Sequence, residues 1–102
     1  MGSVIKVIDH VERCYSNEDG QIIFDIIDQK FSLGEEVNLS FSGISGVTSS
    51  FVNTALIDLL DKYGFDFVKG HLKFIDTTKQ INTAINDRFK FEVKKRKQLI
   101  SC

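Results

Sequence analysis

Proline and tryptophan are absent from the 102 residues, and there are only one methionine, two histidines and two cysteines. Without proline, the punctuation of the chain falls to glycine and to polar clusters. Cys14 and Cys102 stand near opposite ends with no Cys-x-x-Cys spacing, which excludes a disulfide framework and points to a reducing, cytoplasmic compartment. His10 and His71 are far apart in sequence, each beside an apolar run, so both are expected to be structural or solvated residues. No metal site and no cofactor is expected from this set. No apolar run approaches the roughly 18 residues of a membrane span, and the first residues lack the apolar core of a signal peptide. Charge of one sign is missing too. Thirteen Lys and Arg against fourteen Asp and Glu give a net charge of -1, which excludes a nucleic-acid binder held by global charge but leaves room for a local basic patch.

What is present is ordinary globular material, 42% hydrophobic and 26% charged, with one composition throughout. It reads as a single domain over residues 1–102, long enough to bury roughly two thirds of its unfolded surface without a staple. Val4 to Ile8 is short and β-branched, a first strand. Glu18 and Asp19 favour a helix start, and Ile22, Ile23, Ile26, Ile27 and Phe31 form a helical stripe stopped by Gly34. Val37, Leu39 and Phe41 alternate with Asn38, Ser40 and Ser42, the pattern of a half-buried strand. After a Gly43 to Val47 loop, apolar residues at Phe51, Val52, Ala55, Leu56, Leu59, Leu60 and Tyr63 predict a helix stopped by Gly64. Phe65 and Phe67 read as part of the link to a third strand, Leu72 to Ile75. Asp76, Thr77 and Thr78 then cap a helix carrying Ile81, Ala84, Ile85 and Phe89. Residues 89–97 are ambiguous, because Phe89, Phe91 and Val93 also alternate as a strand would. The order βαβαβα predicts an α/β fold, a mainly parallel or mixed sheet of three to four strands with right-handed crossovers and packed helices.

One segment invites a chemical reading. From Leu39 to Phe51 a strand runs through a glycine loop into a hydroxyl-rich helix start, where unpaired N–H groups and the helix dipole favour an anion. The loop lacks the Gly-Lys-Ser/Thr ending of a phosphate-gripping loop and is not a dinucleotide fingerprint. No histidine is placed by sequence to activate its serines, so no catalytic residue is assigned and no enzyme is expected. Asp58 and Asp61 fall on the polar face of a helix with no pairing logic. Thr48, Ser49 and Ser50 can each act as the helix cap, which would account for the hydroxyls with no further role.

The run Val37-Asn38-Leu39-Ser40-Phe41-Ser42-Gly43-Ile44-Ser45-Gly46-Val47-Thr48-Ser49-Ser50-Phe51-Val52-Asn53 resembles STAS domains, the fold of anti-sigma factor antagonists. It is closer still to a STAS-like bacterial family of unknown function, and the likeness extends more loosely over about residues 18 to 88. In STAS proteins the strand tends to carry an Asp where Ser40 stands, the loop an Asp where Thr48 stands, and a glycine follows the serine pair where this chain has Phe51. The resemblance implies a bacterial or phage signalling regulator that binds a protein partner, such as a histidine-kinase-type ATPase. It further implies phosphorylation at Ser49, or next at Ser50, and a docking surface including Ser45, Thr48, Ser49, Ser50 and Asn53. A homo-oligomer is compatible with it. The alternative comes from the tail beyond residue 90, where Lys94, Lys95, Arg96 and Lys97 form a basic run that could touch nucleic acid. The same run is explained by a solvated helix end, and no RNA-binding motif with interleaved aromatics accompanies it.

Overall fold

The computed structural model describes residues 3–101, with side chains described through residue 95. Cys102 and the side chains of Arg96 and Lys97 therefore lie outside the described residues. Three parallel strands, β1 (Ser3–Lys6), β2 (Val37–Ser40) and β3 (Leu72–Ile75), form one sheet in the order β1-β2-β3. The register aligns Ile5, Leu39 and Phe74 across the sheet, and beside them Ser3, Val37 and Leu72. Side chains alternate between faces, so these positions share one face, on which Ile5, Val37, Leu39 and Leu72 are buried. Val4 and Lys73 project from the other face and are exposed. β1 is shorter than its β-branched run predicts. Its last ladder partner is Ser40, and Val7–Asp9 turns as a 3-10 helix that buries Val7 and leaves Ile8 exposed.

Helix α1 (Asn17–Ser32) connects β1 to β2. Ser16 caps it by accepting from Asp19 N–H at 3.1 Å, and Gly20, Ile23, Ile27 and Phe31 make its buried stripe. The connection from β2 to β3 begins with α2 (Ser49–Val52), widens into a π-helical turn (Asn53–Ile57) and continues as α3 (Asp58–Tyr63), one helical rod through residues 49–63. Phe51, Val52, Ala55, Leu56, Ile57, Leu59 and Leu60 are all buried along it, a wider sector than a surface helix needs. The reason is its place: α1 and α5 (Lys79–Ser101) both pack against it. The π turn lets Ala55, Leu56 and Ile57 be buried in succession.

A further helix, α4 (Phe65–His71), stands where the sequence pattern suggested a link. Only seven residues long, it is held by an aromatic stack that joins distant parts of the chain. Phe67 lies 5.1 Å from the Tyr63 ring and 3.9 Å from the His71 imidazole, and Phe31 of α1 meets it edge-on at 5.3 Å. His71 thus serves packing, and Phe67 belongs to the core's margin while Phe65 stays exposed. In α5 the N-terminus is capped by Thr78, whose hydroxyl accepts from Ile81 N–H at 3.2 Å. The ambiguous residues 89–97 are helix. Ile81 and Ile85 are buried, and Phe89, four residues on, packs toward Phe74 at 6.4 Å, whereas Phe91 is 61% exposed. A strand would have placed Phe89, Phe91 and Val93 together on one face, and helical spacing keeps only Phe89 on the core. Among the described residues no helix is long and apolar enough to cross a membrane.

Candidate functional site

In parallel α/β sheets the loops at the carboxyl ends of the strands gather at one edge, and that is where this chain places its hydroxyl-rich segment. Ser40, the last residue of β2, is buried, and its hydroxyl donates to the Asp76 carboxylate at 2.7 Å while accepting from Ser42 N–H at 3.3 Å. Asp76 follows β3 in a left-handed conformation (φ 55°), which aspartate tolerates better than most residues. The strand end that the STAS resemblance marked as an Asp position is thus a serine supplied with a carboxylate from the neighbouring strand.

From there the loop is tied down at its far end. Val47 bridges to Cys14, Thr48 N–H donates to Cys14 O at 3.0 Å, and Val47 N–H donates to Gln80 Oε1 on α5 at 3.3 Å. Cys14 is fully buried, and burial first, then the Asp19 carboxylate, push its thiol up to about 12. It is a packing residue, not a nucleophile. Thr48 is the helix cap: its hydroxyl accepts from Phe51 N–H at 3.3 Å and donates to Tyr15 O at 2.9 Å. The cap is therefore settled on Thr48, with Ser49 and Ser50 left exposed on the first turn.

The five residues of the expected docking surface separate by role. Ser49 and Ser50 present their side chains to solvent, while Thr48 is committed to the cap. Asn53 is half-buried and its Oδ1 accepts from Arg88 Nε on α5, whose guanidinium also pairs with Glu92 at 3.2 Å. Ser45 is exposed on the loop beside a small hollow of about 60 Å³ shared with Glu12, Arg13 and Tyr15. Ser49 opens onto a different feature, a groove of about 330 Å³ between α2 and α5, lined also by Val52, Ala84, Asp87, Arg88 and Phe91. Arg88 lies over the Phe91 ring at 5.2 Å.

Arg88 and Gln80 are contributions that sequence reasoning missed, although the spacing of Ala84, Arg88 and Phe91 already places these three on one helical face. Of the cap segment Asp76, Thr77 and Thr78, Thr78 supplies the cap bond, and Asp76 accepts from Ser40. Of the basic run, Lys94 and Lys95 are exposed on α5, away from the Ser49 groove. Among the described residues no three His, Cys, Asp or Glu side chains gather as metal ligands, and no histidine lines the Ser49 groove. Asp58 is pushed upward by partial burial, then by Asp61, on the helical rod rather than at this site.

No curated protein and no solved structure matches the chain. A family model does match, over residues 19–82, from the first turn of α1 to the first turn of α5. With more than half of the chain covered and a three-stranded parallel α/β fold, this protein belongs to the family described as STAS-like domain of unknown function (DUF4325).

Proposed function

We propose that the chain is a non-enzymatic regulatory module that binds a protein partner through the surface formed by residues 45–53, and that phosphorylation of Ser49 weakens that binding. The observation carrying this reading is the division of roles at one helix start. Thr48 makes the cap bonds, so the fold does not require the exposed hydroxyls of Ser49 and Ser50. They are available to a partner or a kinase. The STAS-like family membership favours a histidine-kinase-type ATPase as that partner, acting in the cytoplasm of a bacterium or on a phage-encoded system. In the modification step the γ-phosphoryl group of ATP would pass to Ser49 Oγ, the hydroxyl proton leaving to a base on the kinase and ADP departing. A phosphoserine adds about -1.5 to -2 charge. At the first helical residue that charge meets the positive end of the dipole, and Arg88 lines the same groove. The fold therefore tolerates the phosphate, while a partner shaped for a neutral serine does not.

The test uses the full chain and the histidine-kinase-type ATPases of its native host. Incubation with ATP should add the mass of one phosphoryl group, lost in Ser49→Ala. Binding to the ATPase should fall with Ser49→Asp and change little with Ser49→Ala. Equal binding by wild type and both variants would refute a role for Ser49, and no co-purification would refute this partner.

A further inference from the structure

Helix α5 separates two grooves, the Ser49 groove on one side and another along the open edge of β3 on the other. Among the described residues β3 has a strand neighbour on one side only. The Ile75 carbonyl accepts from Phe41 N–H at 3.1 Å, so it points toward β2. Main-chain groups alternate along a strand, and those of Phe74 therefore point outward, to the open edge. Leu72 N–H points the same way but is taken up by Val68 O of α4. The groups that face the open edge are thus the Leu72 carbonyl and the N–H and carbonyl of Phe74.

Beside this edge the core face is only partly covered: Leu72 is buried and Phe74 half-buried. Leu72 and Phe74 form the floor of an apolar trough, with Phe65 of α4 and Phe89 and Val93 of α5 as its walls. Its two parts, which share Phe65, Asn86 and Phe89, measure about 450 and 210 Å³. Among the described residues three lysines, Lys69, Lys90 and Lys94, line it and no carboxylate does, although the chain as a whole is acidic by one charge. On the opposite face of β3, Lys73 is exposed.

We propose that this edge is a second docking site, which takes an extended acidic segment of a partner protein as a fourth strand on β3. Alternate apolar side chains of the segment would fill the trough, with carboxylates at its rim on Lys69, Lys90 and Lys94. The intervening residues would project to the other face, where a carboxylate stands beside Lys73 as a cross-strand pair. Charge selects the occupant. A second copy presenting the same groove would set lysines against lysines, and phosphates of a nucleic acid would gain nothing from the apolar walls. The site is independent of Ser49, so Ser49→Asp leaves it intact.

The experiment is a selection of displayed random peptides, each about ten residues long, the length of one strand and its flanks, on the full chain. The expected consensus carries Val, Ile or Phe at alternate positions, Asp or Glu at flanking positions of that same face to reach the trough lysines, and an Asp or Glu among the intervening residues beside Lys73. With a selected peptide bound, hydrogen exchange at the Phe74 amide should slow by about tenfold or more, since it becomes a ladder donor. The double variant Lys90→Glu/Lys94→Glu, both positions exposed, should lose about tenfold or more in affinity through like-charge repulsion. Peptides without acidic residues, an unchanged Phe74 amide, a helical bound peptide, or undiminished binding to the double variant would each overturn the proposal. So would a single-stranded oligonucleotide that binds this groove, or self-association through it in sedimentation.

Discussion

Replacing a helical glycine by alanine ordinarily stabilises a protein, because alanine restricts the unfolded chain and suits the helix by about 1 kcal/mol. At Gly20 the outcome should be reversed. A methyl group there would sit 2.9 Å from Thr54 Cβ, 3.0 Å from Phe51 O and 3.2 Å from Ala55 N. Two of those three atoms are main chain of the facing helical rod, which cannot rotate away as a side chain tip can. Relief requires α1 and the rod to part, against buried neighbours such as Ile23, Phe51 and Ala55. Overpacking of this kind costs about 1–3 kcal/mol. With backbone on the receiving side the upper half of that range applies, so the net loss after the helical gain is about 1–2 kcal/mol. Gly70 supplies the control, being helical in α4 with nothing within 4 Å of the added methyl. Gly70→Ala should stabilise by about 0.4–1 kcal/mol. Thermal or urea unfolding reads both signs, since each kcal/mol moves the melting temperature by about 4–8 °C in a domain of this size. A Gly20→Ala variant melting above wild type would refute the close-packed crossing of α1 and the rod.

Three further outcomes are expected. Thr48→Ala should cost about 1–2 kcal/mol, because it removes the cap and the bond to Tyr15 O, whereas Ser49→Ala should cost only a few tenths; paired denaturation curves check the order. Asp28 accepts hydrogen bonds from Lys62 and from the Tyr63 hydroxyl, which hold its carboxyl below the usual range, Lys62 the larger influence. Its contribution is thus present above the unfolded value of about 3.9 and lost as pH falls through the lower folded one. Tyr63, raised to about 12 by burial and then by Asp28, stabilises fully below its unfolded value of about 10 and loses that contribution as pH rises from there toward 12. Tyr63→Phe should accordingly remove part of the alkaline unfolding seen by circular dichroism across that window. Finally, iodoacetamide at pH 8 should leave Cys14 unmodified in the native chain and alkylate it in denaturant, read by peptide mass spectrometry; rapid native labelling would contradict its burial.

Local pattern determined a good deal of this protein. Alternation at Val37, Leu39 and Phe41 fixed β2, β-branched and apolar runs located β1 and β3, and the glycines at 34 and 64 ended their helices. These signals are legible because they depend on one element's own period and on the φ that glycine permits. The hydroxyl-rich loop and the family resemblance were equally legible, being runs of consecutive residues. What tertiary structure decided was every choice between local options of similar merit. Thr48 rather than Ser49 is the cap because the Tyr15 carbonyl lies within reach of its hydroxyl. Residues 89–97 are helix because Phe89 finds Phe74 beneath it, and α4 exists because Tyr63, Phe31 and His71 stack around Phe67. The same holds for the candidate site: Ser40 meets Asp76, and Asn53 meets Arg88, across about 35 residues of chain. A sequence period is silent on such pairs, because it records which face a side chain takes and not which distant element comes to lie against it.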